Sequence, residues 1–182
     1  MCLSLFNPMS QLTYYMDDSK FQQLVQDNPD LFEKCDEEYF AIGNGWYNIV
    51  RVLCGYMSHD VNQARYRLNY ALKNPEAKMP PIAELEATLA KAIEDLPRIE
   101  QVKEKFGSLR FYVANSTSEI DNYIAFAEAM STVTCEECGA PGERRNDGWI
   151  KTLCDKHHKE RTKDLEVINN SFSKTSPKLS DE

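Results

Sequence analysis

The chain has 182 residues, of which 42% are hydrophobic and 27% charged, and carries a net charge of −8. That length suits one mid-sized domain, or one domain with a small appended module, and the composition is that of a soluble globular protein. Two classes are excluded at this level: no window approaches the roughly 18 apolar residues that span a bilayer, and the acidic balance does not suit a general nucleic-acid binder, which needs clustered Lys and Arg to release counterions.

Residues 1–16 read as an irregular lead-in without the basic and apolar regions of a secretory signal. A short helix is predicted to start at Asp17, Asp18 or Ser19, with Phe21, Leu24 and Val25 inward, and to end at Asn28-Pro29. The following stretch is acidic. Asp27, Asp30, Glu33, Asp36, Glu37 and Glu38 form its densest patch, which suits either a solvated face or a surface that mimics a phosphate backbone. Tyr39–Ile42 is predicted as a short strand and Gly43-Asn44-Gly45 as a turn.

From Trp46 the apolar positions Ile49, Val50, Leu53, Cys54 and Met57 recur at helical spacing. A second helix is predicted over 59–73 with Val61, Ala64, Leu68 and Leu72 inward. A third follows Pro80-Pro81, carries Ile82, Leu85, Leu89, Ile93 and Leu96, and stops at Pro97. Cys54, His59 and Asp60 lie close in sequence, but Cys54 falls on an apolar helix face, which makes it a buried thiol rather than a nucleophile. Residues 98–113 are predicted to form a β-hairpin turning at Lys105-Phe106-Gly107-Ser108. Lys105 and Arg110 stand on it as candidate partner contacts, together with Asp36, Glu37 and Glu38 of the acidic patch. Ser116–Glu119 can cap a helix with Ile120, Tyr123, Ile124, Ala127 and Met130 inward.

That helix leads to the strongest chemical signal. Cys135-Glu-Glu-Cys138-Gly139 is followed by Cys154-Asp-Lys-His157, two pincers with the same internal gap. Such pairs place four soft or borderline ligands around a tetrahedral metal, the usual arrangement of structural zinc. A Cys-x-x-Cys-Gly turn, a hairpin at Asn146-Asp147-Gly148 and a helix beginning at Cys154 predict a treble-clef-like zinc finger. His157 suits the helical spacing to Cys154, with His158 as the alternative ligand. Within 143–163 there are 7 basic and 4 acidic side chains. Arg144, Arg145, Trp149 and Lys151 are therefore candidate nucleic-acid contacts, against the alternative of a solvated finger surface with the Trp covering a small core. The three cysteines outside the metal set, Cys2, Cys35 and Cys54, read as free thiols in a reducing cytoplasm.

Together these readings predict an α+β chain. It has a mainly helical body over 1–132 with its hairpin at 98–113, a zinc module over 133–167 and a disordered tail over 168–182. No phosphate loop, serine elbow, His-Glu-x-x-His or paired-carboxylate motif appears, so a non-enzymatic binding protein is expected, with a nucleic-acid-associated factor as the alternative.

Several segments also resemble a group of small proteins encoded by bacteriophages and prophages. They are Gly43-Asn-Gly-Trp46, Gln101-Val-Lys-Glu-Lys-Phe-Gly-Ser-Leu-Arg-Phe-Tyr112, Phe126-Ala-Glu-Ala-Met130, the Cys135 knuckle and Gly148–Cys154. They span roughly residues 38–158 in patches, and the Lys-Phe-Gly-x-Leu-Arg-Phe-Tyr stretch followed by the finger is the most specific. The resemblance implies a phage accessory protein in the bacterial cytoplasm that binds a host or phage protein, with components of antiviral defence among the partners implied.

Overall fold

The computed structural model describes residues 16–33, 35 and 40–175, with side chains in the last helix described as far as Leu165 and at Val167. The predicted contacts Asp36, Glu37 and Glu38, as well as Cys2, lie outside the described residues. The elements in order are α1 (Asp18–Asp27), β1 (Phe40–Ala41), a 3-10 turn (Asn44–Trp46), α2 (Tyr47–Met57), α3 (His59–Lys73), α4 (Ile82–Glu94), β2 (Arg98–Lys105), β3 (Ser108–Ala114), α5 (Ser118–Ser131), β4 (Glu143–Arg145), β5 (Lys151–Leu153) and α6 (Asp155–Thr175). The chain is α+β, with a helical body, a small sheet and a C-terminal Cys/His module.

Burial of apolar stripes accounts for the body. Phe21, Phe32 and Phe40 form an aromatic cluster with centroids 5.3–6.1 Å apart, which seats α1 on the sheet. Trp46, Val50, Leu53 and Cys54 on the α2 side meet Ile42, just past β1, and Val102 and Leu109 from β2 and β3 in one core. Burial pushes the Cys54 thiol well above its ordinary range, as expected of an unreactive interior thiol.

The hairpin forms as predicted. Phe106 and Gly107 both have positive φ, 54° and 76°, the two-residue turn that matches strand twist. A feature absent from the sequence reading is that β1 pairs parallel to β2, Phe40 opposite Val102. The order β1-β2-β3 therefore closes over a crossover made of α2, α3 and α4. The outer edge of β3 is covered by α5. Leu109 N donates to Ser131 Oγ at 2.8 Å and Phe111 N to Glu128 Oε1 at 3.1 Å. Ser131 Oγ in turn donates to Glu128 O at 2.6 Å. Replacing Ser131 by Ala is expected to leave the buried Leu109 N–H without a partner and to cost about 1–3 kcal/mol in urea unfolding.

Some inward assignments are corrected. Leu72 and Met130 are exposed, and Ala71 and Ser131 are buried instead. Ile82 and Ile93 also face outward, leaving Leu85 as the fully buried position of α4. The predicted start of the unstructured tail is corrected too, since α6 continues to Thr175. Between Cys154 and Pro177 no Gly or Pro interrupts the helix.

Candidate metal centre

The site begins with a knuckle. Cys135 N donates to Ala140 O at 2.8 Å and Gly139 N to Cys135 O at 2.9 Å. Gly139 takes φ +79°, a left-handed conformation that suits a residue without Cβ. The chain then runs through the β4–β5 hairpin, with Glu143 opposite Leu153, and reaches Cys154 at the head of α6. His157 follows in the first turn of α6, and His158 N donates to Cys154 O at 2.9 Å.

These elements bring Cys135, Cys138, Cys154 and His157 together, with one ligand atom from each lying within 4.8 Å of the others. Cys135 Sγ is 3.4 Å and Cys154 Sγ 3.3 Å from His157 Nδ1, and Cys138 Sγ is 3.9 Å from Cys154 Sγ. A tetrahedral ion with metal–sulfur bonds near 2.3 Å and metal–nitrogen bonds near 2.0 Å would set its ligands about 3.5–3.8 Å apart. Three of the separations lie near those values and all four donors lie within 4.8 Å, so the set could hold a metal ion. The His157 backbone N–H is the chief reason that the Cys154 thiol falls to about 7, which favours the thiolate a metal needs. Burial instead holds the metal-free Cys135 thiol up at about 11.

Of the two adjacent histidines, His157 belongs to the set. Its Nε2 lies 3.7 Å from Glu160, while His158 Nε2 turns away to Asp147 at 3.1 Å. A tetrahedral ion held by all four would have its coordination filled by protein donors.

The knuckle is fused to the body. Gly45 N donates to Glu136 O at 2.8 Å, and the indole of the fully buried Trp46 donates to Thr134 O at 2.9 Å. Thr152 Oγ1 donates to Gly107 O at 2.6 Å, tying β5 to the turn of the body hairpin. The Gly43-Asn-Gly-Trp46 stretch, which reads in sequence as a turn and helix start, is thus the seat on which the module sits.

The other predicted contacts are spread over the surface and largely engaged within the molecule. Arg145 pairs with Asp155 at 2.6 Å, and Lys151 binds the Glu136 carboxylate. Trp149 Nε1 donates to Glu104 at 3.1 Å, yet the ring is 67% exposed and does not cover a core. Arg144 is exposed and forms no ion pair among the described residues. In the body, Arg110 pairs with Glu128 at 3.1 Å, and the Lys105 ammonium lies 5.6 Å from the Phe106 ring.

Sequence reasoning missed Glu136. It sits between two ligand positions yet is only 2% exposed, and its burial raises the carboxyl against the opposing pull of Lys151. Nothing in a Cys-Glu-Glu-Cys string marks which glutamate turns inward. No helix of the described residues is long and apolar enough to cross a membrane. No protein-family model matches the chain, and neither the curated proteins nor the solved structures yield a match.

Proposed function

We propose that the chain is a non-enzymatic binding protein that engages another protein and whose C-terminal module is built on a structural zinc ion. Three thiolates and an imidazole in a closed shell favour zinc over harder cations and give the ion a structural rather than a catalytic role. The observation that carries the binding reading is a run of large apolar side chains left uncovered along α2 and α5. Tyr56 is 58% and Phe126 69% exposed, and Val52, Met130 and Val133 are exposed beside them. The Tyr56 and Tyr123 rings stack at 5.1 Å, joining the two helices' contributions. Positions 123, 126, 130 and 133 then follow one another along one side of α5 and past its end. A continuous apolar surface of this kind is characteristic of protein contact sites. The resemblance to phage-encoded proteins makes a host or phage protein in the bacterial cytoplasm the expected partner, a defence component among them.

The second reading, nucleic-acid association, keeps one supporting observation: Arg144 and Trp149 are both exposed on a locally basic module. Capture from bacterial lysate with and without nuclease separates the two, followed by direct binding between the purified components. A stoichiometric protein is expected to survive nuclease. Phe126→Glu is expected to weaken its binding by roughly tenfold or more at unchanged melting temperature, as for the centre of an interface. Recovery that depends on nucleic acid and falls on neutralising Arg144 would overturn this reading.

A further inference from the structure

Helix α3 turns outward a side that shares no residue with the α2–α5 surface named above. Its inner side is spent within the molecule, where Val61, Ala64 and Ala71 are buried and Val61 joins the body core. Positions 66, 69, 70 and 73 follow one another along the opposite side at spacings of three and four, and Arg67 stands three residues before Tyr70. All five side chains are exposed. Tyr66 is 67% and Tyr70 43% exposed, and their rings lie near one another, 26° from parallel with centroids 6.4 Å apart. Two aromatic faces are therefore presented to solvent side by side, with cations next to them.

The charge of this stretch runs against that of the chain. Of 29 acidic side chains none falls between Asp60 and Glu76, whereas Arg65, Arg67 and Lys73 do. Arg65 is engaged by Asp30 at 2.6 Å, but Arg67 and Lys73 form no ion pair among the described residues. The matching partner is negative and also offers flat faces to the tyrosines. An acidic protein surface would answer the cations and leave the rings nothing to stack on. A duplex carries phosphates but keeps its base faces stacked inside. A single strand supplies both, because each unstacked base has a π-face and each linkage a charge. We infer that the outer side of α3 is a contact site for single-stranded nucleic acid, with Tyr66 and Tyr70 stacked on bases and Arg67 and Lys73 on the flanking phosphates. Stacking and phosphate pairing make no use of the 2′-hydroxyl, so DNA and RNA strands bind alike. The net charge of −8 keeps the affinity modest and confines binding to this face.

The test is fluorescence anisotropy of labelled oligothymidylate and oligouridylate with the metal-loaded full chain. A duplex of the same length and polyglutamate serve as comparison probes. Both single strands are expected to bind with a dissociation constant on the order of 10⁻⁴ M at low salt. Two phosphate contacts should weaken binding about sevenfold between roughly 50 and 200 mM salt, and neutralising Arg67 and Lys73 together to Gln should flatten that dependence. Tyr66→Ala with Tyr70→Ala is expected to cost roughly tenfold or more in affinity, whereas Tyr66→Phe with Tyr70→Phe, which keeps both rings, should bind within about twofold of the parent. All four positions are exposed, so melting temperatures should stay in place and show that each variant is folded. Absence of saturable binding, equal affinity for the duplex, or displacement of the strand by polyglutamate would each overturn the assignment. So would unchanged binding in the double alanine variant, or a loss that follows Arg144→Gln instead of the α3 variants.

Discussion

Replacing Cys135 by Ser is expected to remove the stoichiometric metal and to destabilise the whole chain, not the C-terminal third alone. Cys135 is fully buried, and its sulfur meets the His157 ring nitrogen at 3.4 Å. Structural zinc contributes on the order of 10 kcal/mol to the folding of isolated fingers at neutral pH, comparable to the total stability of an ordinary domain. Even a partial loss should lower the melting temperature by roughly 10 °C or more in a chain of this size. The effect should spread because the knuckle supplies Thr134 O to the buried Trp46 indole and Glu136 O to Gly45. Metal analysis and thermal unfolding of one preparation check both halves. His157→Ala should behave like Cys135→Ser, whereas His158→Ala should keep its metal because His158 faces Asp147. Retention of one metal per chain in Cys135→Ser, or loss of it in His158→Ala, would show that the ligand set is wrong.

Much of this architecture is legible in the sequence where one physical rule dominates. Helices α2 to α5 follow from three- and four-residue apolar spacing, with Pro81 before α4 and the Thr117 side chain accepting from Ile120 N at the head of α5. Spacing marks the three cysteines and leaves His157 and His158 open for the fourth place, which the turn of His158 toward Asp147 separates. Legibility fails where partners are distant. Periodicity says that α3 and α4 are amphipathic but not how wide a face the body covers, so Leu72, Ile82 and Ile93 end outside. The parallel β1–β2 pairing joins Phe40 to Val102 through a two-residue strand, too short for any pattern to register. Ser131 and Glu128 read as ordinary helix residues, and their service to the β3 edge is a tertiary matter. Glu136 turns inward toward Lys151, and only the docking of module on body decides that.

That docking is tested most sharply at Gly45. A Cβ placed there would stand 2.0 Å from Cys135 O, 2.5 Å from Gly139 N and 2.7 Å from Cys138 N. All three atoms are knuckle backbone, so none can move aside as a flexible side-chain tip would. Gly45→Ala is therefore expected to force the module off its seat, break the Gly45 N to Glu136 O bond and cost about 3 kcal/mol or more, at the upper end for overpacking by one methyl. Gly55 provides the comparison within the same chain. It lies in α2 with nothing within 4 Å of an added Cβ, and Gly55→Ala should be neutral or stabilising by about 0.5–1 kcal/mol. Urea unfolding of the two variants in a Trp149→Phe background, followed by the fluorescence of Trp46 and by metal release, gives the measurement. If body and module form one cooperative unit, Gly45→Ala shifts both signals together. Metal release that shifts while the Trp46 transition stays in place would mean that the module folds separately and that the seat at Gly43–Trp46 is only a contact. An unchanged midpoint in both would mean that the close approach of Gly45 to the knuckle does not hold in solution.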